Sequence, residues 1–180
     1  MTSHRKTAFL ITLILLFSSK VFATGAGVHA GIKPGLFISD DGIKSGGVMT
    51  NVSGSYRPGR FPLVMGTSIE AGFDRDGGVL TGLSAFADYW IFDVQIKNTW
   101  NFYTGLGAAA GILTPDFDYW NVYAGARVFS GMNWLFYDNY LELFVQQNVV
   151  PVYQRGINGS SDNALFTLLF PLELGIRFHF

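Results

Sequence analysis

Apolar and polar residues alternate along most of this chain, and the alternation is clearest at its end. From Ala164 to Phe180 every even-numbered residue is apolar, whereas the last odd-numbered residues are Glu173, Gly175, Arg177 and His179. A period of two with one wholly apolar face predicts a β-strand. A strand this long that ends on an aromatic residue is typical of one that faces lipid on one side and a polar interior on the other.

Seven earlier segments show the same alternation, and each predicts a strand with its apolar face outward: about 25–39, 47–57, 63–73, 79–92, 100–113, 119–129 and 139–153. Turn-forming residues would make the outward connections at 40–46, 74–78, 114–118 and 154–163. Gln147 interrupts the alternation, which predicts a bulge or a shorter strand, and Pro151 and Pro171 predict bulges or strand ends. Eight strands predict an all-β, eight-stranded antiparallel up-and-down transmembrane β-barrel with both termini on the periplasmic side.

The N-terminus has the pattern of a secretory signal peptide. Arg5 and Lys6 precede an apolar run over 8–17, and residues 18–23 follow, with Val21 and Ala23 placed for signal peptidase. The run is too short to span a bilayer as a helix, so we predict a cleaved signal peptide over 1–23 and a barrel over 24–180. Cleavage after Ala30 is a second choice. The chain has no cysteine, which excludes a lipid-anchored lipoprotein and a disulfide framework.

Composition agrees with a membrane barrel. Only 14% of the residues are charged, 16% are aromatic and 22 are glycine, whereas about 25% of the residues in a soluble domain are charged. After removal of 1–23 the chain would carry nine basic and thirteen acidic residues without a polybasic segment. We therefore expect no nucleic-acid partner.

Eight charged residues fall at inward-facing positions: Lys33, Arg57, Glu70, Asp88, Arg127, Glu142, Glu173 and Arg177. An eight-stranded barrel is just wide enough to be filled by side chains, and unpaired buried charges are costly, so we expect an ion network inside the lumen. A hairpin turn near residues 134 and 135 would place Arg127 opposite Glu142 and predicts an ion pair between them. The alternative is a polar conduit, because inward glycines on the fifth strand leave space.

Aromatic residues gather at the strand ends away from the outward connections, which predicts an interfacial belt: Trp90, Trp100, Trp134, Tyr137, Phe178 and Phe180. The outward connections are acidic and contain Asp40, Asp41, Asp74, Asp76, Asp116 and Asp118. Solvated turns explain these acids, and contact with divalent cations or a host protein is the functional alternative.

Motifs for catalysis or cofactor binding are weak. The glycines over 105–111 have the spacing of a dinucleotide-binding loop, but the segment alternates as a strand and no helix signal follows. His29 and His179 would both point inward on adjoining strands, either as plain lumen residues or as ligands of a shared metal. No catalytic grouping is readable, so we expect no enzyme, no metal and no cofactor.

Residues 123–145 (YAGARVFSGMNWLFYDNYLELFV) and the aromatic C-terminus resemble small outer-membrane barrels of spirochaetes. These are grouped with the outer membrane protein A-type transmembrane domain and, in architecture, with outer membrane proteins W and X. The resemblance implies a bacterial outer membrane with its lipids as surroundings, and assembly machinery that reads the strand ending at Phe180. It carries no catalytic residues to this chain.

We therefore expect a non-enzymatic barrel with a plugged, ion-paired lumen. Its role would be structural, or an interaction at the cell surface such as adhesion or binding of a host factor. The alternative is a narrow channel that carries small or hydrophobic solutes across the outer membrane.

Overall fold

The computed structural model describes residues 23–39, 42–59, 61–74, 77–115, 120–157 and 165–180, and every regular element within these ranges is a β-strand. The strands are β1 (Ala23–Ser39), β2 (Gly42–Pro58), β3 (Leu63–Phe73), β4 (Val79–Lys97), β5 (Trp100–Thr114), β6 (Asn121–Phe136), β7 (Leu141–Gly156), β8 (Leu165–Leu169) and β9 (Leu172–Phe178). In the part of the chain that is described, no helix is long and apolar enough to cross a membrane. The predicted signal peptide over 1–23 lies outside the described residues except for Ala23.

The strands form one closed antiparallel ring. Each strand from β1 to β7 pairs with the next, and both β8 and β9 pair with β7 on one side and β1 on the other. Gly35 pairs with Leu169 and Ile32 pairs with Leu172, so the register against β1 is the same on both sides of the β8–β9 break. β8 and β9 are therefore two halves of one final strand. The predicted eight-stranded up-and-down barrel is confirmed, and closure pairs both edges of the sheet.

The two faces of the wall differ as the alternation predicts. In β3, whose bounds match the prediction, Val64, Ser68 and Glu70 are buried whereas Met65 and Ile69 are exposed. The same alternation continues around the ring, and large apolar side chains stand on the outer face of the described strands. Such a wide apolar surface is rare on a soluble monomer and is typical of a wall surrounded by lipid.

Three strands extend at least five residues past one of their predicted ends. β2 begins at Gly42 instead of residue 47, β4 ends at Lys97 instead of residue 92, and β6 ends at Phe136 instead of residue 129. Ladder pairing continues past the end of the apolar pattern, because backbone hydrogen bonds do not depend on side-chain polarity. The connection predicted over 40–46 is consequently reduced to 40–41, which lie outside the described residues.

The predicted bulge at Gln147 is wrong. The in-and-out alternation of β7 continues through this residue, and the register against β6 is unchanged. Gln147 points outward and its Nε2 donates to the carbonyl oxygens of Asn148, at 3.0 Å, and Pro171, at 3.1 Å. These two bonds give an outward polar side chain its partners, so the strand needs no bulge there.

The two prolines behave differently. Pro151 stays inside β7 without a register shift. Pro171 lies in the break between β8 and β9, so one of the predicted strand ends is present although the register does not change. Beside the break, Phe170 N donates to Pro34 O at 2.9 Å and Asn148 N donates to Pro171 O at 2.8 Å. These bonds join the final strand to β1 and β7 at the point where its regular ladder pairing is interrupted.

Candidate functional site in the barrel interior

The barrel has two mouths. The described turns between β4 and β5 and between β6 and β7 lie at the same end as Ala23 and Phe180, and we call this end the terminal mouth. The opposite end, where the β3–β4 turn lies, is the distal mouth. Seven of the eight charged residues predicted for the lumen, all except Arg57, lie between the two mouths and form three clusters.

The Glu70 cluster joins four strands across the interior. Lys33 Nζ and Ser84 Oγ both donate to Glu70 Oε1, and Tyr123 OH donates to the same oxygen at 3.0 Å. The Glu70 side chain is fully buried. Because β1, β3, β4 and β6 each supply one of these residues, the cluster spans the lumen and does not follow one wall.

The Arg127 cluster contains two carboxylates. Arg127 Nη2 donates to Asp88 Oδ2 at 3.1 Å, and Arg127 Nε lies 2.9 Å from Asp88 Oδ1, so the two groups form a close ion pair with one hydrogen bond. Arg127 Nη2 also lies 3.5 Å from Glu173 Oε2. Asn148 connects Arg127 to Glu173, because it accepts from Arg127 at 3.0 Å and donates to Glu173 at 3.1 Å. One cation thus balances two buried carboxylates with help from neutral donors.

The Glu142 cluster lies nearest the terminal mouth. Arg177 Nη1 donates to both oxygens of Glu142, at 2.8 and 2.9 Å, and His179 Nε2 lies 2.7 Å from Oε2. Asn133 Nδ2 donates to Oε1 at 2.9 Å. The ring of Phe144 lies under the Arg177 guanidinium at 4.7 Å. Both carboxylate oxygens of Glu142 therefore have polar side-chain partners inside the barrel.

The predicted pair between Arg127 and Glu142 is wrong. The β6–β7 hairpin turns at residues 137–140, not near 134 and 135, and the register places Leu135 opposite Glu142 and Val128 opposite Val149. Arg127 therefore binds Asp88, whereas Glu142 binds Arg177. All the charged residues predicted for the lumen point inward, but Arg57 lies at the terminal mouth, where its partner Asp93 is 3.7 Å away.

Trp90 belongs to the lumen and not to the belt, which corrects the prediction for this residue. It is 3% exposed, its ring stacks on Tyr103 with a centroid separation of 4.0 Å, and the Arg57 guanidinium lies 4.3 Å from the Trp90 centroid. Trp90 shares the phase of Phe86 and Asp88, which both point inward. Its position in the alternation of β4 is therefore the sequence feature from which an inward side chain could have been predicted.

The other predicted belt residues lie at the terminal mouth. Trp100, Tyr137, Phe178 and Phe180 are exposed, and Trp134 is half-buried with its ring edge-on to Trp100 at 4.9 Å. This arrangement is the one expected of amphipathic rings at a membrane–water boundary.

Sequence reasoning missed the apolar part of the lumen. Near the distal mouth the inward side chains form a hydrophobic cluster: Met49, Leu113, Tyr123, Val150, Val152 and Leu169. The inward glycines of β5 do not leave open space. A Cβ atom on Gly105 would lie 2.5 Å from Phe129 Cζ, and one on Gly111 would lie 2.7 Å from Tyr123 Cε1. Aromatic rings from β6 already occupy the room that the glycines provide.

The two histidines have different carboxylate partners. His29 Nε2 lies 4.0 Å from Glu173 Oε2 and its ring is edge-on to Phe86 and Phe144, whereas His179 binds Glu142. Among the described residues there is no group of three or more side chains suited to hold a metal ion.

Of the acids predicted for the outer connections, Asp40, Asp41, Asp76, Asp116 and Asp118 lie outside the described residues. Asp74 closes its own turn, because its Oδ1 accepts from Gly78 N at 2.6 Å. This bond spans the β3–β4 turn and accounts for an aspartate at this position.

Comparison with known proteins supports the fold. No family model and no curated protein matches the sequence. The solved structure of Neisserial surface protein A is similar, with a TM-score of 0.53 and 16% identity over 86% of this chain and 97% of that one. Outer membrane protein AlkL, solved in DMPC lipid bilayers, has a TM-score of 0.50 and 10% identity over 91% of this chain and 93% of that one.

The chain has the fold of a small outer-membrane β-barrel. Ail, the attachment invasion locus protein of Yersinia pestis, also aligns, with a TM-score of 0.46 and 12% identity over 87% of this chain and 99% of that one. A place in a bacterial outer membrane, as the sequence predicts, agrees with this fold and with the apolar outer face.

Proposed function

We propose that the protein is a non-enzymatic outer-membrane barrel that is closed to solutes by its own side chains and has a structural or surface-interaction role. The observation that carries the proposal is the filling of the lumen. The charged side chains that form the pairs of the Glu70, Arg127 and Glu142 clusters are at most 6% exposed. A water-filled pore would leave some of these groups in contact with solvent.

Stacked aromatic rings add to the closure. The Trp90–Tyr103 pair lies between the Arg127 cluster and the terminal mouth, where Tyr103 OH donates to Gln146 Oε1 at 3.1 Å. Tyr103 is fully buried. An ion that followed the lumen would have to displace this pair and also break the salt bridges, and both steps oppose conduction.

Conductance in a planar bilayer tests the proposal. We expect the purified, refolded protein to insert, as protease protection can verify, without producing discrete current steps. Trp90→Ala removes one ring but leaves the salt bridges of the Glu70 and Arg127 clusters in place, so we expect it to stay silent, as does Trp100→Ala on the outer face. Discrete steps from the unchanged protein, absent after boiling, would contradict the proposal and favour the narrow channel.

A surface role follows from a closed lumen, because the outer turns and the outer face then remain for contact with other molecules. One similar solved barrel is itself named a surface protein. The test is attachment of host cells to bacteria that display the barrel. Replacing the β3–β4 turn over 74–78 by a glycine–serine turn should reduce attachment, and the same replacement over 137–140 at the terminal mouth should not. Equal attachment in both variants would leave only the structural role.

A further inference from the structure

At the terminal mouth β4 extends beyond its neighbour β3. The ladder between these two strands ends at Tyr89, whereas the ladder between β4 and β5 continues to Lys97. Trp90 N donates to Pro62 O at 2.7 Å, which is the last described backbone bond on the β3 side. Residues 91–97 therefore have β5 on one side and, within the described part of the chain, no strand on the other. We call this stretch the open edge.

The open edge leaves backbone groups without strand partners. In an antiparallel sheet every second residue of a strand directs its N–H and C=O groups toward the same neighbour. No described backbone bond reaches residues 91–97 from the β3 side. A row of donors and acceptors at this regular spacing is a template on which another extended chain can pair. A lipid molecule offers no such row of complementary groups.

The side chains of the open edge make its outer side apolar. A register shift just after Trp90 reverses the phase of β4, and Phe92, Val94 and Ile96 are 61%, 55% and 60% exposed. Val94 lies opposite Phe102, an exposed residue of β5 close to the interfacial belt. Unpaired strand edges are strongly unfavourable beside hydrocarbon, so a partner strand at this level gains hydrogen bonds that neither lipid nor the barrel supplies.

A second copy of the barrel in the same membrane does not fit this edge. Barrel strands tilt about 35–45° from the barrel axis. A two-fold axis along the membrane normal would therefore make the two β4 strands cross at about 70–90°, which is twice the tilt. Neighbouring strands of a sheet differ in direction by only about 20–25°. Pairing thus requires a chain that is free to align with β4.

We propose that the open edge binds an extended segment of another polypeptide, which adds one antiparallel strand to β4 in the place that a longer β3 would occupy. The outward side chains of this segment are apolar and continue the surface formed by Phe92, Val94 and Ile96. An acidic residue of the segment lies beside Lys97, which forms no ion pair with a described residue. This binding does not depend on whether the lumen is closed.

Disulfide cross-linking of the barrel in nanodiscs tests the proposal, because the chain has no cysteine of its own. The probe is a synthetic peptide of alternating valine and threonine with a central cysteine and a terminal glutamate. We expect Val94→Cys to cross-link to it several-fold more than Phe102→Cys. An added strand would lie about 4.8 Å from β4 but about 9.6 Å from β5, beyond the Cα separation of about 7 Å that a disulfide allows. Equal yields from the two variants would overturn the proposal.

Two altered peptides separate strand pairing from adsorption to apolar side chains. Methylation of all backbone nitrogens keeps the side chains but removes the N–H donors, so its yield with Val94→Cys should fall several-fold. An undiminished yield would contradict strand addition. Exchange of the glutamate for lysine should also lower the yield, and no change would contradict the acidic residue beside Lys97. Val94→Cys barrels that cross-link to one another without peptide would show that a second copy covers the edge, which would overturn the proposal.

Discussion

Arg177 and Glu142 fasten the final strand to β7 through one guanidinium nitrogen that lies 2.8 and 2.9 Å from the two carboxylate oxygens. The register places these two residues directly opposite each other, as neighbours across the β7–β9 ladder. Both side chains are almost fully buried. The pair therefore holds one of the two contacts that close the barrel, since β9 pairs with β7 on one side and with β1 on the other.

Loss of one partner of this pair should destabilise the barrel strongly. Arg177→Met leaves Glu142 buried without its main cation, and removal of one member of a buried ion pair costs about 3–5 kcal/mol. The urea midpoint of unfolding from lipid vesicles measures the effect. The double variant Arg177→Met/Glu142→Gln should recover part of the loss, which corresponds to a coupling energy of about 1–3 kcal/mol.

The same cycle applied to Arg127 and Glu142 distinguishes the observed pairing from the one that the sequence predicted. Arg127 binds Asp88, Glu173 and Asn148, none of which bonds to Glu142. We expect the Arg127→Met and Glu142→Gln effects to add within about 0.5 kcal/mol. A coupling as large as that of Arg177 with Glu142 would show that the described register is incorrect.

Gly105 should not tolerate a methyl group. A Cβ atom there would lie 2.5 Å from Phe129 Cζ and would also press on the Tyr89 carbonyl oxygen, which belongs to the rigid ladder. Gly105→Ala should therefore lower the free energy of unfolding by about 1–3 kcal/mol. Gly54→Ala is the matched control, because nothing lies within 4 Å of a Cβ atom at that outward position. Equal midpoints for the two variants would mean that the lumen has spare room.

The two tryptophans should differ in the same assay. Trp90→Ala removes a buried ring that stacks on Tyr103, and such a truncation costs about 3–5 kcal/mol. Trp100→Ala removes a ring that is 45% exposed at the outer face, so its loss should be smaller. The Trp100 effect should also depend on the thickness of the bilayer, whereas the Trp90 effect should not. If the loss of stability in Trp90→Ala depended on bilayer thickness, Trp90 would belong to the interfacial belt and not to the lumen.

The alternation of side chains was enough to predict the strand number and the two faces of the wall, because a period of two is a local property. Which charges meet inside the barrel was not predictable in the same way. Arg127 and Glu142 fall on neighbouring strands. Because the hairpin turns at residues 137–140 and not near 134 and 135, each residue of β6 lies opposite a different residue of β7 from the one predicted. Pairing between distant strands, such as Lys33 with Glu70, also depends on the tilt of the closed ring.

Neutral residues in the lumen were missed for a related reason. Asn133 and Asn148 carry no charge and give no signal along the sequence beyond their inward phase. Their importance comes from the carboxylates that register brings beside them, Glu142 and Glu173. The apolar cluster around Leu113 is likewise a property of the filled interior, because its members come from several strands.

Phe180 should matter for assembly more than for the stability of the finished barrel. It is 69% exposed and lies beyond the last residue of β9, so few contacts in the folded state depend on it. If the aromatic C-terminus is the feature that the assembly machinery reads, Phe180→Ser should reduce the amount of barrel in the outer membrane several-fold. The purified variant, refolded from urea into vesicles, should keep its unfolding midpoint.

His179→Ala is the control for this prediction, because His179 binds the buried Glu142 and contributes to the fold. This variant should lower the unfolding midpoint while the C-terminal aromatic residue remains in place. Membrane fractionation and vesicle unfolding together separate the two effects. A Phe180→Ser barrel that reaches the membrane in normal amounts would show that assembly uses another part of the final strand, such as its outward residues between Leu172 and Phe178.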